Sequence, residues 1–342
     1  MSASLTATVK DLARRGGFLA VGIAAAGPVP RAEGLHDWLA KGYDAQMAYM
    51  RRNLTKRVQP DALVEGARSV ICLAVSYVGP DDDGREGLIA RYARGKDYHD
   101  VLKRRCLNLM HAIRQVAPTF AGRAFVDSAP VMERSLAAAA GLGWIGRNGL
   151  LITKGAGSYC LLCEIICNLP LDVDSPLPSR CGQCRSCVGA CPTGALDGSG
   201  LGDARKCISY LTVECGGEID ASVRCKMGRR VFGCDACQVV CPYNRRLPAG
   251  DPELTTPLPL ARAGLGQMLA WDRGKWEAAA ASSAARRAGY EMFIRNAIIA
   301  AGNSGEGSLL GPLAALAGTT AEHGQLVRWA TQRLRQSTGK VL

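Results

Sequence analysis

The chain has 342 residues, 48% of them apolar, and carries 42 Lys and Arg against 30 Asp and Glu, a formal charge of +12. This length and apolar share fit two or three globular domains and exclude a disordered or collagen-like chain, while the positive balance favours a polyanionic partner. The longest clean apolar runs, 69–78 and 150–153, fall short of the roughly 18 residues that a spanning helix needs, so the sequence does not read as an integral membrane protein.

In chain order, residues 5–14 read as a helix and 18–24 as a first buried strand. Arg14 and Arg15 before a short apolar stretch imitate a twin-arginine export signal, but Phe18 comes one residue late and the stretch ends at Gly27 and Pro28. Residues 70–75 read as a second strand, and Tyr98–Val116 as an amphipathic helix with Val101, Leu102, Cys106, Leu109, Met110 and Ile113 on one stripe. A strand at 124–126 delivers Asp127, a helix follows at 131–140, and 141–149 is a glycine-rich loop without the G-x-G-x-x-G spacing of a dinucleotide site. Residues 170–178 form a linker. Beyond Pro252, helices near 290–301, 309–317 and 324–334 suggest a small helical-repeat unit. Residues 242–342 hold twelve Lys or Arg against seven Asp or Glu, a plausible second polyanion contact. Aromatics make up only 6%, which favours phosphate contacts by Arg and Lys over wholesale base stacking.

The fifteen cysteines carry the strongest signal. A secreted disulfide scaffold would be short and would spread them, so tight runs in a chain of this size indicate a reducing compartment and metal binding. Residues 181–192 read C-x2-C-x2-C-x3-C-P and residues 234–242 read C-x2-C-x3-C-P, the pattern of a double-cluster ferredoxin. In that pattern three closely spaced thiolates grip one 4Fe-4S cubane and the cysteine before proline turns to the other cluster. By pseudo-symmetry Cys181, Cys184, Cys187 and Cys241 form one ligand set. Cys191, Cys234 and Cys237 form the second, which lacks a ligand; Cys207 is the leading candidate, with Cys215 and Cys225 behind it. Zinc is the competing reading, but zinc fingers rarely use successive x2 spacings. Cys160, Cys163 and Cys167 imitate the spacing inside an apolar strand-like run, where residues three apart face opposite sides, and are expected to be buried small hydrophobes.

Five further segments complete the pattern: R-Y-A-R-G-K-D-Y-H at 91–99, V-D-S-A-P-V-M-E-R at 126–134, G-L-G-W-I-G-R-N at 141–148, C-I-S-Y-L-T at 207–212 and G-C-D-A-C-Q at 233–238. Together they resemble the epoxyqueuosine reductase family. The resemblance implies an enzyme binding cobalamin and two 4Fe-4S clusters that reduces the epoxide of epoxyqueuosine at the tRNA wobble position to queuosine. It implies an α+β architecture in three parts: an N-terminal α/β cobalamin-binding, nitroreductase-like domain over 1–170, a ferredoxin-like double-cluster domain over 171–250, and a C-terminal HEAT-like helical-repeat, tRNA-contacting region over 251–342. Asp127 stands where the family places its proton donor, and a carboxylic acid in a desolvated pocket at a strand end can keep a proton at neutral pH. Arg57, Asp127, the stretch from Leu151 to Lys154, Ser209 and Asp235 are the implied cobalamin contacts. His36, His99, His111 and His323 lie in no pattern that makes one a cobalt ligand. Arg91, Arg94, Lys96, Lys103, Arg104 and Arg105, with Arg286, Arg287 and Arg295, are candidate contacts to the anticodon stem. An external electron donor, a monomeric state and a cytoplasmic location complete the expectation. The competing readings are a corrinoid reductive dehalogenase, which would use a tyrosine as acid, and a ferredoxin-type electron-carrier subunit, which would leave the first 170 residues without a task.

Overall fold

The computed structural model describes residues 4–79, 87–317 and 321–338. Helix α1 (Leu5–Arg15) begins where the Ser4 hydroxyl accepts the Ala7 N–H at 3.2 Å, and it buries Val9 and Ala13. Arg14 and Arg15 occupy its last turn, where cations complement the helix dipole. The first strand, β1 (Ala20–Ala25), follows at once, as the helix-then-strand reading expects.

After the short helices α2 (Ala32–Ala40) and α3 (Leu54–Val58) comes β2 (Ser69–Ser76), whose eight residues are all buried. Then follow α4 (Tyr98–Val116), β3 (Gly122–Phe125), α5 (Glu133–Ala139), β4 (Gly143–Ile145), β5 (Leu151–Thr153) and β6 (Cys160–Cys167). One sheet has the order β1-β2-β6-β3 with every neighbouring pair antiparallel. Helices cover both of its faces, which explains the near-continuous apolar strands. Ile71, Leu73 and Val75 join the core formed with Leu102, Cys106, Leu109 and Ile113 of α4; Val70, Cys72 and Ala74 pack with Leu136 and Ala137 of α5. That alternation is the period-two rule of a strand.

Gly22 is required by a close approach: a Cβ there would lie 2.0 Å from the Ala140 carbonyl oxygen. The segment expected as a glycine-rich loop instead contains β4, which forms a hairpin with β5. Gly143 hides this from a propensity reading, yet it is what allows the pairing, because a Cβ there would sit 2.0 Å from Ile152 O. Cys163 and Cys167 are fully buried in β6, as expected of hydrophobes, and Cys163 Sγ lies 3.4 Å from Cys106 Sγ.

Residues 171–180 carry no regular structure, in line with the linker reading. The cysteine-rich part contains four short helices: α6 (Ser186–Gly189), α7 (Ile208–Val213), α8 (Ala221–Arg224) and α9 (Ala236–Val239). Farther on, the helix Gly289–Gly302 is buried without interruption from Phe293, and the helix Ala321–Thr338 packs against it at Gly302 and Ala330.

The segment 88–97 ties these regions together. Ala90 N–H donates to Phe232 O at 2.8 Å, Asp97 N–H to Ser282 O at 2.6 Å, and Ser283 Oγ to Ala93 O at 3.0 Å. Gly95 lets residues 251–255 approach, since its Cβ would fall 2.1 Å from Leu254 O. One apolar core therefore runs from Val9 to Leu334 through all three regions. Among the described residues no helix is long and apolar enough to cross a membrane.

Candidate functional site

Strand β3 ends at Phe125, and the chain turns at Asp127, whose φ of 49° places it in the left-handed region. Glu133, opening α5, holds this turn by accepting the Asp127 N–H at 2.6 Å. The Asp127 carboxylate meets the start of α4: Oδ2 accepts a short hydrogen bond from Tyr98 OH and lies 3.7 Å from His99 Nε2. His99 Nδ1 is 2.7 Å from Asp97 Oδ1, and Asp97 also caps α4 by accepting the His99 N–H. One helix start thus presents an ordered Asp97–His99 pair and Tyr98 to Asp127.

Contrary to the expectation of a desolvated pocket, the Asp127 side chain is 52% exposed. Its turn stands outside the sheet rather than within it. Tyr49, Glu214 and Arg287 share the electrostatic surroundings of Asp127. Arg287 donates from Nε to Glu214 Oε1 at 2.6 Å, and its guanidinium lies 6.0 Å from the centre of the Tyr49 ring. Side chains from three separated parts of the chain therefore surround Asp127.

Burial works against the charge of His99, but the hydrogen bond and charge of Asp97, with Asp127, raise it above its ordinary value. Burial, then the Asp127 charge, pushes Glu133 up to about 8. Behind it, Glu164 is fully buried in the central strand β6 with neither carboxyl oxygen hydrogen-bonded, and burial followed by the charge of Glu133 pushes it well up. Folded Glu133 therefore holds its proton through a window where the unfolded residue, near 4.5, has lost it. Stability falls as pH rises through that window. Glu133→Gln keeps an oxygen to accept the Asp127 N–H and removes this cost, so its urea midpoint will gain on that of the parent protein between pH 5.5 and pH 8.5. A constant difference would show that Glu133 is ionised throughout.

The expected cobalamin contacts come from separate elements. Arg57 is 9% exposed, donates from Nη2 to Tyr49 O at 3.1 Å, and keeps a buried Nε without a hydrogen-bond partner. Burial lowers the pKa of its guanidinium, so an acceptor at that orphaned N–H would relieve it. Leu151 is buried in β5, Lys154 is exposed just after it, and Ser209 lies half-buried in the first turn of α7. Asp235 is buried, and its Oδ2 already accepts from Arg91 N at 2.9 Å and Nη1 at 3.2 Å.

That pairing corrects one expected phosphate contact. Arg91 is 3% exposed and stacks on Tyr159 at 5.2 Å, because its charge is needed against Asp235. Arg295 is corrected likewise: it is 5% exposed and donates to the carbonyls of Leu211, Cys215 and Gly217 at 2.6–2.7 Å. Lys96, Arg104 and Arg105 are occupied by Glu253, and Arg105 also by Asp251 at 2.5 Å. Arg286 and Arg287 remain exposed, near Asp97 and Asp127 respectively.

The cysteines gather as two groups. A cavity of about 170 Å³ is lined by Cys181, Cys184, Cys187 and Cys241, with Arg147, Asn148 and Tyr243 around them. Arg147 Nε and Asn148 Nδ2 are buried there without acceptors, and the Trp144 indole N–H, packed beside Cys181 and Cys241, is also orphaned. Unpaired N–H groups facing four thiols suit the sulfur atoms of a cubane. In the second group, the Cys237 thiol feels Cys234, Cys207 and Cys187, and Cys207 senses Cys191. Burial pushes the Cys237 thiol well up and its neighbours push it further, a strain that a cationic iron core relieves. Cys215 Sγ instead faces Gly216 O at 3.6 Å, and Cys225 is exposed.

Sequence reasoning passed over Tyr98, Asp97, Glu133 and Glu214 as site residues. The first three stood inside quoted motifs, and Asp97 had the further signal of a residue capping an amphipathic helix.

Two family descriptions match the chain: "Epoxyqueuosine reductase QueG, DUF1730" over residues 57–128, and "4Fe-4S double cluster binding domain" over residues 180–244. The epoxyqueuosine reductase of Pseudomonas aeruginosa is 39% identical over 97% of this chain and 95% of its own. A crystal structure of epoxyqueuosine reductase with an epoxyqueuosine-modified tRNA-Tyr stem loop superposes with a TM-score of 0.88 at 28% identity, covering 97% of this chain and 92% of that one. The Bacillus subtilis enzyme, described with its catalytic aspartate loop swung out of the active site, has the same TM-score, identity and coverage. These matches extend over the sheet, the surroundings of Asp127 and both cysteine groups, and the chain belongs to the epoxyqueuosine reductase family.

Proposed function

We infer that the chain is the oxidoreductase that reduces epoxyqueuosine at the tRNA wobble position to queuosine, and that Asp127 is its acid. The observation that carries the assignment of Asp127 is that Tyr98 and His99 order its carboxylate while Tyr49, Glu214 and Arg287 from separated parts of the chain surround it, which we read as one wall of a substrate cleft. Converting the epoxide to an alkene consumes two electrons and two protons and releases water. A wobble base lies in a single-stranded loop and can be splayed into such a cleft.

Tyr98 occupies Asp127 Oδ2, so Oδ1 is the oxygen that presents a proton to the epoxide oxygen. Asp97 fixes the His99 ring, and His99 in turn faces Asp127 Oδ2. Because the carboxylate is half-exposed, the bound nucleotide itself excludes water from it. The swung-out aspartate loop of the Bacillus subtilis enzyme fits a turn like this one, whose main chain is held by one side chain, Glu133, and whose carboxylate is held by Tyr98. Arg286 is the exposed cation that suits the phosphates of the anticodon loop, while Arg287 is held by Glu214 beside Asp127.

The proposed ligand sets are Cys181, Cys184, Cys187 and Cys241 for one cluster and Cys191, Cys207, Cys234 and Cys237 for the other. Arg57, Leu151, Lys154, Ser209 and the Asp127 cleft would hold cobalamin, with Arg57 Nε as the donor awaiting an acceptor. Asp235 would contribute by position while its charge answers Arg91. Bound, the clusters would supply single electrons and cobalamin would supply a low-potential reducing centre. We propose the three parts 1–170, 171–250 and 251–342 as functional regions sharing one core, the last HEAT-like, in a monomer served by an external donor.

Reconstitution with iron, sulfide and cobalamin tests the cofactor assignment. The purified protein should retain about eight irons and one corrinoid per chain, and Arg57→Ala should lower corrinoid retention with iron unchanged. Corrinoid retention equal to that of the parent protein would remove Arg57 from the site.

A further inference from the structure

The two cysteine groups differ in their surroundings. The loop that carries Cys234 and Cys237 adjoins the segment leading to Tyr98: a Cβ at Gly233 would touch Ala90 and the Tyr92 ring, and Tyr92 senses the charges of both Asp127 and Asp235. In the other group Cys184 is exposed, as are its neighbours Gln183, Arg185 and Ser186. Cys187, of this group, is within electrostatic reach of Cys237. The Cys184 group therefore opens to solvent, while the Cys237 group is the one whose loop adjoins the surroundings of Asp127.

The outer group is framed by positive charge. Arg147 and Arg180 line its cavity, and Arg185 follows Cys184 directly. Arg147 is anchored through Nη2 to Gly182 O at 2.8 Å, and Arg185 through Nη2 to Asp197 O at 2.9 Å. Among the described residues no carboxylate pairs with any of the three, and Arg147 and Arg185 are held by carbonyls that leave their charge uncompensated. Residues 175–196 and 236–250 contain no Asp or Glu. At the centre, Tyr243 offers an exposed ring, braced edge-on against Trp144 at 4.9 Å and tied by its hydroxyl to Arg180 O at 2.7 Å.

We propose that this face, built from Arg147, Arg180, Arg185 and Tyr243, docks a small acidic one-electron carrier protein of the flavodoxin or ferredoxin class. The inference rests on the two-cluster reading and adds the partner and its place. A fixed cationic rim around an apolar centre is the complement of an acidic carrier whose cofactor lies at its surface, and such rims act chiefly on the rate and salt dependence of encounter. Two reduced carriers dock in turn and each loses one electron; with two protons, those electrons convert one epoxide to an alkene and water. Transfer RNA is the other polyanion that could use a basic face, but the wobble base must reach Asp127, whose surroundings adjoin the Cys237 group and not the Cys184 group.

The test uses the full-length, cluster-loaded protein and an acidic flavodoxin as the probe. Binding is measured against salt for the unaltered protein, for Arg180→Glu with Arg185→Glu, and for the milder Arg180→Gln with Arg185→Gln. The Glu pair should weaken flavodoxin binding by roughly tenfold or more and flatten its salt dependence. The Gln pair should fall between, and both should keep their iron and their affinity for the anticodon stem loop. Unchanged flavodoxin affinity in both variants, or a loss of stem-loop affinity in its place, would overturn the proposal. Fewer than two clusters in the unaltered protein would instead overturn the reading beneath it.

Discussion

Asp127→Asn will lower single-turnover reduction by roughly 10²- to 10⁴-fold, the usual loss when a general acid is removed, with the fold and the bound iron unchanged. Asn suits this experiment for a backbone reason. Position 127 has φ of 49°, a region that Asn adopts readily and β-branched or bulky residues do not. The Asn amide oxygen can still accept from Tyr98 OH, and its main-chain N–H can still reach Glu133. What it lacks is an acidic proton. Asp127→Ala should lose the same chemistry and, in addition, some order of the turn, because Tyr98 and His99 lose their common partner. Near-normal turnover in the Asn variant, measured with chemically reduced enzyme so that electron supply is not limiting, would make Asp127 a structural turn residue and assign the proton to water or another group.

The second large effect is expected at Cys207. Its thiol senses Cys191, and it is among the charges felt by Cys237, whereas Cys215 faces a carbonyl and Cys225 faces solvent. Cys207→Ser should therefore reduce iron from about eight to about four per chain, one cubane lost and one kept. Cys215→Ser and Cys225→Ser should keep both. Full iron in Cys207→Ser, with loss in either of the others, would reassign the fourth ligand.

Much of this molecule is legible in the chain because the relevant signals are local. The bounds of Tyr98–Val116 follow from a 3.6-residue apolar stripe begun by a capping Asp97, and β2 from an apolar run between polar ends. The cysteine spacings, likewise, are contacts within a few residues.

What the sequence conceals depends on distant partners. Arg91 looks like a surface cation until Asp235, 144 residues away, draws it into the core. Arg295 looks like a phosphate contact until carbonyls 78 to 84 residues away occupy it. The β4–β5 hairpin hides behind glycines that read as a loop, and the half-exposed state of Asp127 follows from how its turn leaves the sheet. The residues that order Asp127 were likewise visible as letters but not as neighbours. Glu133 is six residues from the turn it holds, and Tyr98 and His99 come from a helix start about thirty residues earlier.

The most direct measurement is nucleoside analysis of an anticodon stem loop carrying epoxyqueuosine after one turnover with the reduced, cluster- and cobalamin-loaded protein. The account predicts stoichiometric queuosine from the unaltered enzyme and nearly none from Asp127→Asn in the same time. Epoxyqueuosine recovered intact from the fully loaded unaltered enzyme would contradict it.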